Sequence, residues 1–267
     1  MTDRLTSQQP CRTAVADAAA AVAATTTAPR WRLATLNMLK GGGRRVAPEQ
    51  VQRDTRADLL LLQEAAGFAG ASPLRVWQPV QARPWGSAIQ VARGRLAPIA
   101  VRGFEGWVVG ALWHGPWGDV RGEGVGVFSV HAPHGEGGYC GRMHRILDAI
   151  AVAARAAATP HIVVGGDFNI CISPRRHGGE PVGARQRAVQ VRLHEEFGLI
   201  NAWDVLHPRS RPAQTLRWTG DPTVPYHCDG LFVPRGWLTS LRSCVVLSSS
   251  RWCARSDHNP VVATFAD

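Results

Sequence analysis

Four short apolar runs in this sequence meet a carboxylate at one end, and that recurrence limits the possible folds more than any other feature. Leu59-Leu60-Leu61-Leu62-Gln63 runs into Glu64, and residues 161–166 run into Asp167 and Asn169. Asp229 stands beside Gly230-Leu231-Phe232-Val233, and Asp257-His258 come just before Pro260-Val261-Val262. Continuous apolar runs of this length suit strands buried on both faces. A strand that ends in a carboxylate delivers it to a sheet edge, where side chains from several strands can converge. One such run means little, because polar residues commonly end strands. Four of them, with a Gly-Asp-Phe-Asn turn and a Ser-Asp-His triplet, predict a polar site at one end of a strand-rich core.

The rest of the chain supports two packed sheets with helices outside. Residues 32–37 alternate and read as a strand, broken by Gly41-Gly42-Gly43. Further strands are predicted at 86–92, 107–114, 124–131, 161–166, 228–233, 243–248 and 260–265. A short helix is predicted over 48–57, starting at Pro48. In 142–157, Met143, Ile146, Leu147, Ile150 and Ala154 repeat at helical spacing, and Thr159-Pro160 ends the helix. In 184–197, Val189, Leu193 and Phe197 share a face, and Gly198 stops it. Strands outnumber helices, and the helices are irregularly spaced, which argues against a regular βαβ winding. Residues 1–29, rich in Ala, Thr and Gln, read as a disordered or loosely helical extension, and 30–267 as one folded domain. An export signal is the minor reading of that extension, because Asp3 and Asp17 interrupt any apolar core.

Composition narrows the partners. The 267 residues carry a net charge of +10, with Lys40 as the one lysine, so the positive charge is almost all arginine. A basic surface favours phosphate-rich partners. Abundant Ala and Gly with scarce Lys is also what a GC-rich coding sequence produces, so charge alone does not name the substrate. No apolar run approaches the roughly 20 residues of a membrane span, and no membrane insertion is expected. The six cysteines include no C-x-x-C pair. Reduced thiols in a cytoplasmic, monomeric protein are the expectation, with a Cys244–Cys253 bridge as the alternative.

Five segments, in order and spacing, resemble the endonuclease/exonuclease/phosphatase superfamily: Thr35-Leu36-Asn37-Met38, Leu62-Gln63-Glu64, Gly166-Asp167-Phe168-Asn169, His227-Cys228-Asp229-Gly230-Leu231-Phe232 and Ser256-Asp257-His258. The resemblance covers residues 31–265. It implies a four-layer α/β/β/α sandwich, with two packed mixed β-sheets and outer helices, and a metal-dependent phosphoesterase. It further implies Glu64 as the main Mg²⁺ ligand, Asn37 beside it and Asp257 as the second carboxylate near the metal, with Mn²⁺ as the other ion. Such hard cations prefer oxygen ligands. By the same resemblance, His258 is the catalytic histidine and Asp229 its orienting partner. Asp167 positions or deprotonates the attacking water, Asn169 donates to a phosphoryl oxygen, and His131 contacts the scissile phosphate or the leaving group. His134 is the competing match for His131.

Two positions depart from the deoxyribonuclease branch: Ala66 replaces an arginine, and Gly230 a tyrosine. Arg175, Arg176 and His177 after the Gly-Asp-Phe-Asn turn, with Arg44 and Arg45, suit phosphate. Trp218 suits stacking on a base or sugar. Cleavage of phosphodiesters in nucleic acid is the leading expectation. A phosphomonoesterase, a phospholipid or inositol-phosphate hydrolase, and a non-catalytic binding module stay open.

Overall fold

The leucine run serves two cores at once. In strand β2 (Leu59–Ala65) successive side chains point to opposite faces. Leu59 and Leu61 enter a core between two sheets, while Leu60 and Leu62 enter a second core beneath helix α1 (Pro48–Thr55). All four are fully buried, and each such burial is worth about 1.5–3 kcal/mol.

The computed structural model describes residues 30–40, 46–68, 70–115, 124–176, 179–217 and 225–266. The extension 1–29, Arg44, Arg45, His177 and Trp218 lie outside the described residues. One six-stranded sheet runs β13 (Leu241–Val246), β14 (Val261–Ala266), β1 (Arg30–Asn37), β2, β4 (Gly86–Val91), β3 (Arg75–Pro79). The other runs β5 (Arg95–Ile99), β6 (Val108–His114), β7 (Val125–His131), β8 (Ile162–Asp167), β12 (Asp229–Pro234), β9 (Leu199–Asn201). Leu33, Leu61, Ile89, Val127, Val163, Leu231 and Ala263 fill the space between the sheets. Helices α2 (Gly138–Ala156) and α3 (Ala184–Glu195) cover the second sheet's outer face through Ile146, Leu147, Ile150, Val189 and Leu193. Layer by layer this is α/β/β/α, with both sheets mixed, as the resemblance implied.

One parallel pair lies within each sheet, β1 with β2 and β7 with β8. Parallel neighbours end side by side, so each pair brings two strand C-termini to the same edge. A buried polar bridge ties the two edges together. Gln63 Nε2 donates to Ser129 Oγ across the sheets at 3.0 Å, and Ser129 Oγ donates to the Leu62 carbonyl at 2.9 Å. Thr35 Oγ1 donates to Gln63 Oε1 at 3.2 Å. Buried and mutually satisfied, these groups fix one register between the sheets.

Strands β3, β5 and β9 are not predicted by the sequence pattern. Each ends a sheet, where one edge lacks a partner among the described strands and alternation weakens. β5 also contains Pro98, which an edge strand tolerates because it need not donate there. Helix α2 starts at Gly138, four residues before the expected 142, because Gly137 in the left-handed region (φ +74°) turns the chain into it. Cys244 and Cys253 are both free thiols, so the alternative bridge is not formed. Among the described residues no helix is long and apolar enough to cross a membrane.

Candidate active site

The shared edge collects the polar residues by strand direction alone. Asn37, Glu64, His131 and Asp167 stand at or near the C-terminal ends of β1, β2, β7 and β8. Strands β12 and β14 run antiparallel to β8 and β1, so their beginnings lie at the same edge. Asp229 starts β12, and Asp257-His258 come just before β14. In register, His131 pairs with Asp167 and Asp167 with Asp229.

Gly166 makes the β8 end possible. Its φ is +143°, and a Cβ there would sit 2.0 Å from the Val130 carbonyl oxygen. Any side chain would push β7 and β8 apart just below His131 and Asp167. Glu64 (φ +50°) and Asn169 (φ +52°) both occupy the left-handed region. For a residue with a Cβ that conformation costs on the order of 1 kcal/mol or more, and it concentrates at functional sites.

The side chains form one connected network. Asn37 Nδ2 donates to Asp167 Oδ2 at 3.0 Å. Asp167 Oδ1 accepts the Asn169 backbone N–H at 2.9 Å. His258 Nδ1 lies 2.9 and 3.1 Å from the two oxygens of Asp229, and its Nε2 is 3.9 Å from Asp167 Oδ2 and 4.0 Å from Asp257 Oδ1. His131 Nε2 is 3.5 Å from Glu64 Oε1 and 3.9 Å from Asp167 Oδ2. All eight residues of the expected centre are therefore brought together. His134, the competing match, is exposed with its ring against Tyr139, so His131 is the histidine in the cluster. Asn169 Nδ2 donates to the Ala132 carbonyl at 3.0 Å and to Asp167 Oδ2 at 3.3 Å. Releasing the longer contact is what donation to a phosphoryl oxygen would require.

Burial and the number of facing carboxylates set the two imidazoles in opposite charge states. Burial opposes the charge on His258, but the Asp229, Asp167 and Asp257 carboxylates more than offset it and push its pKa up to about 10. Burial pushes His131 down to about 4, with Asp167 opposing and His258 reinforcing. Near neutral pH His258 is cationic and His131 neutral. Burial also raises the pKa of Asp167, and the neighbouring Asp229 charge adds to it. Glu64 is raised mainly by burial, against hydrogen bonds from the Lys40 backbone and the Asn37 side chain.

Four carboxylates thus surround one cationic imidazole, and among the described residues no Lys or Arg side chain forms an ion pair with them. That surplus of negative charge fits a bound cation. The Glu64 and Asp257 side chains are 14% and 22% exposed, against 2% and 0% for Asp167 and Asp229. Glu64 and Asp257 can therefore meet a hydrated ion, with the Asn37 amide beside them. Hard oxygen donors of this kind suit Mg²⁺ or Mn²⁺. Ligand-type atoms of Asp167, Cys228, Asp229 and His258 also lie within 4.8 Å of one another. This quartet is already occupied internally. His258 is tied to Asp229, and burial keeps the Cys228 thiol protonated, donating toward Asp229 Oδ2 at 3.5 Å.

The expected substrate contacts divide. Arg176 lines a groove of about 480 Å³ that opens beside Asn169 and is also lined by Tyr139, Arg185, Gln186 and Tyr226. Arg175 is exposed, and its backbone bridges Pro181. Gly230, at the departure from the deoxyribonuclease pattern, lies under Ile172, whose Cδ1 would be 2.1 Å from an added Cβ.

Sequence patterns do not mark Thr215, Arg217 and Asn259, which hold the site from behind. The adjoining strand β10 (Leu216–Arg217) pairs with β11 (Pro225–Tyr226), with one further bridge from Leu216 to His258, and is two residues long, too short for any periodicity. His227 enters the sequence reading only as part of a motif. It is buried, with Nδ1 2.7 Å from the Ala213 carbonyl, and burial pushes its pKa down to about 4. Its folded value lies below its unfolded one. The unfolded chain therefore takes up a proton first on acidification, and stability falls between about pH 6.5 and 4. His227→Asn, which can keep a donor toward Ala213, is expected to remove part of that loss, on the order of a few kcal/mol at most. Urea midpoints at about pH 7 and pH 5 check this; an equal drop in wild type and variant would contradict it.

The sequence profile of the Endonuclease/Exonuclease/phosphatase family matches residues 34–258. No curated protein sequence is significantly similar to the chain. Among solved structures, an AP endonuclease from Archaeoglobus fulgidus is similar with TM-score 0.66 at 15% identity, covering 88% of this chain and 99% of that one. A variant of the 3' phosphatase NExo from Neisseria, bound to a product DNA hairpin, gives TM-score 0.61 at 17% identity over 89% of this chain and 100% of that one. The endonuclease domain of TRAS1, a telomere-specific non-LTR retrotransposon, gives 0.60 at 19% identity over 88% and 98%.

Proposed function

The chain belongs to the endonuclease/exonuclease/phosphatase family, and from that premise we propose that it is a divalent-metal-dependent hydrolase of phosphodiester bonds in DNA. One observation carries the reading. Two buried imidazoles, one pushed toward its charged form by three carboxylates and one pushed toward its neutral form by burial, stand within 4.0 Å of a carboxylate cluster that lacks Lys and Arg partners among the described residues. Titratable groups pushed apart in this way are suited to different acid–base roles.

Glu64 and Asp257, with Asn37, would hold the cation, which offsets charge growing on the phosphoryl oxygens. Asp167, made more basic by burial and by Asp229, orients the attacking water and accepts its proton. His258, kept protonated and fixed by Asp229, donates to a non-bridging oxygen. Neutral His131 stands across from it, beside Glu64, placed to bond the phosphate on the leaving-group side. Asn169 holds Asp167 and supplies a second amide donor once the longer contact is released.

The DNA preference rests on the named structural relatives, which include an AP endonuclease and a phosphatase bound to a DNA hairpin. The Arg176 groove supports it further. It leads away from Asn169, carries Arg176 and Arg185, and has no carboxylate among its lining residues. That chemistry suits a flanking strand phosphate.

The test is a hydrolysis panel with Mg²⁺ or Mn²⁺: plasmid DNA, a duplex with an abasic site, a 3'-phosphate end, single-stranded RNA, sphingomyelin and an inositol phosphate. Cleavage of a DNA substrate that chelation abolishes is expected. Activity confined to the lipid or inositol phosphate, or unaffected by chelation, would refute the proposal. Arg176→Ala is expected to weaken DNA binding and lower the salt slope by about one counterion. An unchanged slope in filter binding across ionic strengths would remove Arg176 from the substrate path.

A further inference from the structure

The segment Ser256–Asn259 carries Asp257 and His258 yet belongs to no helix or sheet strand. Its own internal ties both run through Ser256 Oγ, which accepts the His258 N–H at 3.0 Å and lies 3.3 Å from Asp257 Oδ1; the same hydroxyl donates to the Asn37 carbonyl at 2.7 Å. An irregular loop held so lightly would not keep an imidazole and a carboxylate in fixed geometry. The short strand around Thr215–Arg217 does the holding. Leu216 bridges His258. Arg217 N–H donates to the Asp257 carbonyl at 2.8 Å, and Asn259 N–H to the Thr215 carbonyl at 2.7 Å. Asn259 Nδ2 donates to the Gln214 carbonyl at 2.9 Å.

The Arg217 guanidinium completes the clamp. Nη1 donates to Asn259 Oδ1 and Nη2 to the Ser256 carbonyl. One planar side chain therefore grips both ends of the four-residue loop, with the catalytic pair between its two arms. The same strand reaches the other half of the pair. Thr215 Oγ1 accepts the backbone N–H groups of Cys228 at 3.0 Å and Asp229 at 3.1 Å. Asp229 and His258 are thus referenced to one piece of backbone.

We infer that Arg217 is a positioning residue, which sets the orientation of His258 and Asp257 by clamping Ser256 and Asn259. It acts through the loop, since both terminal nitrogens are already engaged with it. Lysine is no substitute, because a point charge cannot span two acceptors as a planar fork does. The kinetic consequence rests on the phosphodiesterase reading above; the structural consequence does not.

The experiment compares wild type, Arg217→Ala and Arg217→Lys by steady-state kinetics on the best DNA substrate and by the low-field proton resonance of His258 Nδ1–H. For Arg217→Ala, kcat is expected to fall by about a hundredfold, the scale of a catalytic group displaced by roughly 1 Å. KM should stay within about twofold, because no substrate contact is lost. The His258 resonance should broaden or shift, and Arg217→Lys should lie between the two. If Arg217→Ala does not fold, Arg217→Lys alone carries both readouts. A raised KM at unchanged kcat would make Arg217 a substrate contact and overturn the inference, as would an unmoved His258 resonance in a folded variant. An inactive wild type refutes the functional reading, while the resonance still decides the clamp.

Discussion

Glu64→Ala is expected to lower turnover by roughly a thousandfold, about 4 kcal/mol of transition-state stabilisation, while the fold persists. The carboxylate stands on the edge of the cluster, where a hydrated cation can reach it, and a hard ion has few substitutes for a charged oxygen ligand. Stability should not suffer in proportion. Glu64 lies close enough to Asp167 for their charges to repel, so the variant loses an unfavourable interaction together with the ligand. Calorimetric titration with Mn²⁺ should show weaker binding, and raising the metal concentration should recover part of the rate. Wild-type turnover at limiting metal, in a variant with unchanged circular dichroism, would remove Glu64 from the metal site.

The Asp229–His258 pair should behave as one unit. Asp229 is fully buried and holds His258 Nδ1 through both carboxylate oxygens. Either single replacement is expected to reduce kcat by on the order of a hundred to ten-thousand-fold, the range of positioned acid–base groups. The double replacement should add little, because effects within a catalytic unit are not additive. Asp229→Asn is the sharper change. Its amide can present a donor to the imidazole, which selects the wrong tautomer and withdraws the charge that keeps His258 protonated. A surface ion pair would be worth about 1 kcal/mol or less. This pair is buried, and breaking one from one side is typically destabilising by about 3–5 kcal/mol. Thermal melts must therefore accompany the double-mutant cycle, at a temperature where every variant remains folded. Additive losses in kcat, or near-wild-type turnover in Asp229→Asn, would show that the two residues act independently.

The sequence by itself determined the architecture and the centre of the site. Uninterrupted apolar runs such as Leu59–Leu62 can be satisfied only by burial on both faces. The polar residues that stop those runs must then emerge at strand ends. Glu64, Asp167, Asp229, Asp257 and His258 were legible for that reason, Asn37 through the family resemblance, and strand direction brought them to one edge. Local pattern also marked α2 and α3, whose apolar faces repeat over several turns, and Pro48 marked the start of α1.

Tertiary structure alone decided the rest, because the missing elements take their conformation from partners distant in the chain. β3, β5 and β9 are edge strands, shaped by a single neighbour. β10 is two residues long and exists through contacts with residues about forty positions away. The sequence favoured His131 over His134 because it ends a strand; that His131 faces Asp167 while His134 lies on the surface came only from the fold. The charge states of the two imidazoles follow from burial and from the number of carboxylates facing each. Neither quantity is a property of a residue and its sequence neighbours; both arise only when six strands from two sheets close on one edge.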